Sequence, residues 1–231
     1  MLLRTVIFWI LVIPLVIALF VLVSISLIYD RSRNSIHSIG ASWFKLVLWL
    51  AGIKVETRGF ENLRSNEAFV IMSNHQGVFD IPVIQAYLPL KFRWVAKKSL
   101  FKVPVLGWAM RLAGYISIDR AHSGSAYRSM EQAGRLVSNG TSVLIFPEGT
   151  RGKTGGLLDF KRGGFHLMKN LNARILPISI TGTRDIINGI IIHPSRVMLT
   201  VGEPISGQGL SENDIMDKTR LAIEAGIKEG A

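Results

Sequence analysis

The stretch AFVIMSNHQGVFDIPVIQAYL, residues 68–88, changes from one type of secondary structure to another within a few positions. Its first six residues, 68–73, form a short apolar run that predicts a buried strand. A helix is predicted from residue 81 onward. The polar residues between the two therefore lie where a strand ends and a helix begins, which is where open α/β sheets bind ligands.

Two ionisable side chains stand five positions apart in this connection, His75 and Asp80. On one continuous helix, residues five apart would point about 140° away from each other. The two side chains can meet only if residues 76–79 form a turn, which Gly77 favours. A histidine held by a carboxylate is a general base near neutral pH. The alternative is a loop histidine beside an aspartate that only caps the helix ahead of Pro82.

Short apolar runs alternate with longer amphipathic ones along the rest of the chain. This alternation indicates an α/β fold with a mostly parallel central sheet and helices on both faces. The predicted strands are 68–73, 92–96, 115–118, 142–146, 174–180 and 196–201. The predicted helices are 81–88, 99–112, 124–138, 163–171 and 211–228.

The N-terminal part of the chain is strongly apolar. No charged residue occurs from Thr5 to Tyr29, and this segment is long enough to cross a hydrocarbon core of about 30 Å. A shorter apolar stretch from Trp43 to Ile53 is typical of an interfacial helix. One spanning anchor and a pair of helices dipping into one leaflet both fit this pattern.

Basic residues around the first apolar segment indicate its orientation. Arg4 precedes the segment, and Arg31 and Arg33 follow it. By the positive-inside rule, the main domain is expected on the cytoplasmic side of the membrane. Residues 1–54 are therefore predicted to form N-terminal membrane-anchoring helices, and residues 55–231 to form the α/β domain.

Charge and composition narrow the classes of function. The 231 residues carry a net charge of +11, which suits anionic headgroups and phosphorylated substrates. No nucleic-acid-binding motif accompanies this charge, so nucleic acid is not expected as a partner. The chain has no cysteine, which excludes a thiol nucleophile, a thiolate metal site and a disulfide.

Three other enzyme classes fail on their motifs. A phosphate loop ending at Gly152-Lys153-Thr154 would require glycine at position 147, where the chain has proline. No serine stands in a Gly-x-Ser-x-Gly motif, as a serine hydrolase of the common type requires. No His-Glu-x-x-His motif is present for a zinc hydrolase.

Four blocks of sequence resemble the glycerolipid acyltransferases and occur in the order of that family. They are NHQGVFD at 74–80, GYISIDR at 114–120, FPEGTR at 146–151 and ILPISI at 175–180. The resemblance covers about residues 55–205. It implies transfer of an acyl group to the sn-2 hydroxyl of 1-acyl-glycerol-3-phosphate (lysophosphatidic acid), which forms phosphatidic acid for phospholipid biosynthesis.

The resemblance also implies roles for individual residues. His75 is expected to take the proton of the lipid hydroxyl, and Asp80 to orient His75. A backbone amide near Lys97 or Lys98 is expected to stabilise the oxyanion. Arginine grips two phosphate oxygens at once, so the substrate phosphate is expected at arginines and their neighbours. These residues are Arg120, Glu148, Gly149, Thr150, Arg151 and Lys161.

Partners and alternatives follow from the same resemblance. The acyl donor is expected to be acyl-CoA or acyl-carrier protein, and neither a metal nor another cofactor is expected. The implied location is the inner, cytoplasmic membrane, in contact with the lipid bilayer. Alternatives are an acyltransferase for another lysolipid or for glycerol-3-phosphate, and a non-catalytic membrane lipid-binding protein.

Overall fold

The computed structural model describes residues 2–30, 33–63, 67–119, 121–152, 156–166 and 173–230. The helices are α1 Leu2–Tyr29, α2 Asn34–Ala51, α3 Asp80–Tyr87, α4 Leu106–Leu112, α5 Ser123–Ser138 and α6 Glu212–Glu229. The strands are β1 Lys54–Arg58, β2 Phe69–Ser73, β3 Phe92–Lys97, β4 Ile116–Ile118, β5 Ser142–Ile145, β6 Arg174–Thr181, β7 Ile187–Asn188, β8 Ile191–Ile192, β9 Arg196–Val201 and β10 Ile205–Ser206.

The main sheet has the order β1-β9-β6-β2-β5-β3-β4. Strand β2 lies in its middle and pairs in parallel with both β5 and β6. Strands β9 and β10 pair with β6 in the antiparallel direction, and β7 and β8 form a separate hairpin. The prediction of a mostly parallel α/β sheet is therefore confirmed.

Helices cover both faces of this sheet because its central strands are apolar on both sides. All five residues of β2 are buried. Phe69 and Ile71 pack into the same cluster as residues of α2 and α3. Val70 and Met72 pack on the other face, against residues of α5 and α6. Strands buried on both faces are the rule in parallel sheets.

The predicted helix 99–112 is wrong in its first half. A 3₁₀ turn spans Lys98–Lys102, and α4 begins only at Leu106. Pro104 lacks an N–H and disfavours helical conformation in the residue before it. Val105, which follows, has φ of 63°. Residues 163–166 are helical, and the rest of the helix predicted at 163–171 lies outside the described residues.

Helix α1 is long and apolar enough to cross a membrane, with a mean hydropathy of 3.3 over Leu2–Ser26. Only 11% of this apolar stretch is buried inside the protein. It is nevertheless packed against the rest of the protein. Phe8 is buried in the main core, and the indole N–H of Trp43 on α2 donates to the carbonyl of Leu15 at 3.1 Å. Val23 packs into a smaller cluster with Ile36 of α2.

Candidate active site

Three neighbouring strands end at the same edge of the sheet, and a polar loop follows each of them. Residues 74–79 follow β2, residues 146–152 follow β5, and residues 182–186 follow β6. Because these strands are parallel and adjacent, their carboxyl ends bring the three loops together. The site is built where these loops meet.

His75 and Asp80 are in direct contact. The imidazole Nδ1 lies 2.6 Å from Oδ2 of Asp80. Asp80 is the first residue of α3, and its carboxylate turns back toward the loop. A carboxylate at Nδ1 holds a proton on that nitrogen and leaves Nε2 as the basic atom.

The carboxylate of Asp80 is buried and fully hydrogen-bonded. Its Oδ2 also accepts the backbone N–H groups of Gln76 at 2.7 Å and of Gly77 at 2.9 Å. Its Oδ1 accepts the hydroxyl of Thr183, from the loop after β6. A carboxylate with this many donors is fixed in orientation.

Residues 76–79 form the turn that the spacing of His75 and Asp80 requires, but Gly77 is needed there for a different reason. Its backbone does not adopt a positive φ. A Cβ at this position would lie 2.4 Å from the carbonyl oxygen of Thr183. Glycine therefore allows the loop after β6 to pack directly on the turn.

The ring of His75 stacks on Phe146, with ring centroids 4.0 Å apart and an angle of 10° between the planes. Its side chain is 17% exposed. In the described part of the chain, no group hydrogen-bonds to Nε2. The stacking and the Asp80 contact thus fix the ring and leave Nε2 available for a hydrogen bond to a ligand.

Glu148 is buried, and its carboxylate bonds to backbone groups of two loops. Its Oε1 accepts the backbone N–H of His75 at 2.7 Å, and its Oε2 accepts the N–H of Leu158 at 2.8 Å. Burial raises the pKa of this carboxyl, while the two N–H groups oppose that rise. Glu148 thereby holds these two loops together, and its predicted place at the substrate phosphate stays a prediction.

The other predicted phosphate ligands lie around the same loop. Gly149 adopts φ of 73°, a left-handed conformation that glycine tolerates best. Thr150 and Arg151 are exposed, and the N–H of the next residue, Gly152, donates to the carbonyl of His75 at 2.9 Å. This hydrogen bond holds the backbone at Arg151 close to that of His75.

Lys161 is also exposed, and its backbone N–H donates to the carbonyl of Pro147 at 2.8 Å. It therefore lies beside the loop that carries Arg151. Arg120, the other predicted phosphate ligand, lies outside the described residues.

The predicted oxyanion donors, near Lys97 and Lys98, do not follow a strand that neighbours β2. Lys97 ends β3, which is separated from β2 by β5. The ammonium group of Lys98 is 3.1 Å from Oδ2 of Asp119, so its side chain forms an ion pair at the surface. Any contribution from this segment would thus come from its backbone, as expected from the sequence.

Three residues of the site were not predicted from the sequence. The side-chain amide of Asn74 donates to the carbonyl of Ile180 at 2.9 Å and accepts its N–H at 2.8 Å. Its place beside His75 at a strand end was the one available signal. Thr183 and Arg184 carried no signal, because they are more than 100 positions from the turn that they contact.

The described residues contain no group of three His, Cys, Asp or Glu side chains arranged to hold a metal ion. The chemistry available from this arrangement is proton transfer by a braced imidazole, next to exposed cations that attract an anionic ligand.

Comparisons with known proteins agree with this geometry. The family model Acyltransferase matches residues 54–181. The 1-acyl-sn-glycerol-3-phosphate acyltransferase BAT2, chloroplastic, of Brassica napus is 32% identical over 203 residues, covering 85% of this chain and 58% of that protein. The alpha form of Mus musculus is 36% identical over 171 residues, covering 72% of this chain and 60% of that protein. The chain thus spans somewhat more than half the length of these curated relatives.

A solved structure resembles the whole chain. The crystal structure of the 1-acyl-sn-glycerophosphate (LPA) acyltransferase PlsC from Thermotoga maritima superposes with a TM-score of 0.86 at 25% identity. The superposition covers 99% of this chain and 95% of that one. The N-terminal helices are therefore part of the shared architecture.

Proposed function

This chain belongs to the acyltransferase family, and we propose that it moves a fatty acyl group from an acyl thioester to the sn-2 hydroxyl of 1-acyl-glycerol-3-phosphate. The product is phosphatidic acid. One observation carries the proposal: the imidazole of His75 is braced at Nδ1 by the buried carboxylate of Asp80, and its Nε2 has no hydrogen-bond partner among the described residues.

The reaction begins at Nε2 of His75. This nitrogen removes the proton of the sn-2 hydroxyl as the lipid oxygen attacks the thioester carbonyl. The carbon–sulfur bond then breaks, and the imidazolium returns its proton to the leaving thiolate. Asp80 stabilises the imidazolium between these steps. The substrate alcohol is the nucleophile, so no covalent acyl-enzyme is required.

Negative charge develops on the thioester oxygen during the attack, and the lipid phosphate already carries negative charge. A backbone amide near Lys97 or Lys98 stabilises the oxyanion. The guanidinium groups of Arg120 and Arg151 bind the phosphate, and the ammonium group of Lys161 supplies a third cation. Thr150 and Gly149 shape the same loop. These residues and the acyl thioester supply the whole reaction, without a metal or another cofactor.

Buried residues around the pair position it. The hydroxyl of Thr183 fixes the carboxylate of Asp80 from the side opposite His75. Glu148 ties the backbone of His75 to the loop after β5. Both side chains thus act on the pair through other groups.

The proposed location is the inner, cytoplasmic membrane, with the α/β domain on the cytoplasmic side. The docking of α1 at Phe8, Leu15 and Val23 supports attachment to one leaflet, since crossing the bilayer would pull the polar groups of the docked domain into the hydrocarbon. The acyl donor, acyl-CoA or acyl-carrier protein, then approaches from the aqueous side.

Thiol release tests the function. The purified protein is mixed with acyl-CoA or acyl-carrier protein and with lysophosphatidic acid, glycerol-3-phosphate or a lysophospholipid with a larger headgroup. We expect thiol release with lysophosphatidic acid, and loss of about 10²- to 10⁴-fold of it in His75→Ala, because the general base is removed. His122→Ala, which changes an exposed histidine, is the control.

Three outcomes would contradict the proposal. Release with another acceptor but not with lysophosphatidic acid would identify a different acyltransferase. Full activity in His75→Ala would remove the proposed base from the mechanism. Absence of release with every acceptor and both donors would favour a lipid-binding protein.

A further inference from the structure

Exposed apolar side chains occur on helix α1 and on two elements that contact it, the β7–β8 hairpin and α4. We propose that the bilayer contacts all three: the exposed face of α1, the tip of the β7–β8 hairpin at Ile190, and the segment 103–108 that leads into α4. This lipid-contact surface rests on the membrane location proposed above and extends it to two elements of the α/β domain.

Helix α1 is docked on the domain near both of its ends. Close to its start, the hydroxyl of Thr5 accepts the backbone N–H of Ile192 at 3.2 Å. Farther along, the ring of Phe20 lies 6.0 Å from the ring of Trp108 in α4. These contacts are about 22 Å apart along a helix. If α1 enters the bilayer, the hairpin and α4 reach lipid with it.

The β7–β8 hairpin places an isoleucine at its tip. Its two-residue turn consists of Gly189 and Ile190, and Ile190 is 73% exposed. Polar or small residues are usual at such turns, since the tip faces water. The carbonyl of Ile190 accepts the indole N–H of Trp9 at 2.8 Å, which places the tip against α1. Leu2 and Leu3, near the same end of α1, are exposed as well.

The segment 103–108 repeats this pattern at the other end of α1. Val103, Leu106 and Trp108 are exposed, although each is large and apolar. Tryptophan is favoured at the headgroup level of a membrane, because its ring has an apolar body and a polar N–H. The exposed Lys102 stands directly before this segment and suits an anionic headgroup.

A bilayer is the occupant that fits the continuity of this surface. Between α1 and α2 lies an open groove of about 440 Å³, lined entirely by apolar side chains that include those of Leu11, Ala18, Leu46 and Trp49. On the opposite face of the sheet, the exposed Leu221 of α6 has charged neighbours at Arg220 and Glu224. Large exposed apolar areas mark membrane or protein contact sites, whereas single exposed leucines are ordinary.

The absence of cysteine from the sequence allows a direct test, because a single introduced cysteine is labelled at one position only. We compare Ile190→Cys and Leu106→Cys with Ile13→Cys on α1 and Leu221→Cys on α6. Ile13 and Leu221 are matched in exposure, at 64% and 65%. Each variant carries an environment-sensitive NBD fluorophore and is mixed with phosphatidylcholine–phosphatidylglycerol vesicles.

Emission wavelength and quenching by spin-labelled lipids report the surroundings of each label. We expect blue-shifted, lipid-quenched emission at positions 190 and 106, as at position 13, and aqueous emission at position 221. Aqueous labels at 190 and 106 together with a lipid-exposed label at 13 would overturn the inference and leave membrane attachment by α1 standing. An aqueous label at 13 as well would overturn both.

A second variant tests the energy of the contact. Ile190→Asp should weaken binding to the same vesicles about tenfold, because a charge replaces an exposed apolar side chain that would enter the lipid. Leu221→Asp is the matched control and should bind as the native chain does. Equal binding by the two variants would count against a lipid contact at the hairpin. Thiol release measured in parallel keeps this result separate from the test of acyl transfer.

Discussion

The carboxylate of Asp80 receives hydrogen bonds from the His75 ring, two backbone N–H groups and a hydroxyl. Each donor comes from a group with few other positions available to it, so the carboxylate cannot rotate without leaving a buried donor unsatisfied. Orientation of the imidazole therefore depends on residues that never contact a substrate. Thr183 is the one among them whose side chain can be changed without altering the backbone.

Thr183→Val should lower kcat about tenfold and leave KM nearly unchanged, because the hydroxyl acts only through Asp80. Valine keeps the shape of the side chain. With one donor fewer, the carboxylate should attract the imidazole proton more strongly, so the acidic limb of the kcat/KM profile should move to higher pH. Steady-state kinetics as a function of pH measure both effects.

Thr183→Ser keeps the hydroxyl and serves as the control, which should restore the native pH profile. A loss of activity of the same size in Thr183→Val and Thr183→Ser, with an unshifted profile, would mean that Thr183 has a packing role only.

Gly77→Ala should destabilise the protein by about 1–3 kcal/mol and reduce activity, since its Cβ would overlap the carbonyl of Thr183. Gly124→Ala on α5 is the control, because a Cβ there meets no atom within 4 Å. Denaturant unfolding of the detergent-solubilised variants measures the difference. Equal free energies of unfolding for the two variants would show that the loop after β6 can move away from the added Cβ at little cost.

At the level of elements, a buried polar network joins α2 to α3 and β3. The side-chain amide nitrogen of Gln85, on α3, lies 3.2 Å from Nδ1 of His37 on α2. Its oxygen accepts the indole N–H of Trp94 on β3 at 2.7 Å. Because α3 begins with Asp80, this network links the position of α2 to that of the site.

The network makes stability depend on pH. Burial of the His37 ring, with Arg93 close by, lowers its pKa from 6.5 to about 4. Between these two values the unfolded chain binds more protons than the folded one, so the free energy of unfolding should rise with pH across this window. The full effect is about 3 kcal/mol at 1.36 kcal/mol per pKa unit.

His37→Gln should flatten this dependence between pH 4 and 6.5, measured by denaturant unfolding in detergent. His122→Gln, which changes an exposed histidine, should retain it. A native-like slope in His37→Gln would assign the pH dependence to other groups.

Elements with a strong local signal were predicted well from the sequence. Strands β2 and β5 appear within one residue of their predicted bounds, because continuous apolar runs define buried strands. The two-residue strands β7, β8 and β10 have too few residues for any periodicity. Strand β1 was missed because most of its residues are exposed and polar, so no apolar alternation marks it.

On the scale of the whole molecule, the sheet separates two environments. Helices α1, α2 and α3 cover the face that we assign to the membrane side, while α5 and α6 cover the other. The site lies at the carboxyl edge of the sheet, where the proposed lipid acceptor and aqueous donor would meet. Its first half, His75 with Asp80, was predictable from one local motif. Its second half was not, since Thr183 reaches Asp80 from 103 positions away and only the strand order brings them together.

The docking of α1 on the β7–β8 hairpin has a consequence for biosynthesis. Trp9 and its acceptor Ile190 are separated by 181 positions, so the first helix leaves the ribosome long before its partner exists. At about 5–20 residues per second, that interval lasts on the order of 10–40 s. During translation the most apolar segment of the chain must be sheltered by a targeting factor or by the lipid itself. Nascent chains that reach the membrane late would be the ones that aggregate.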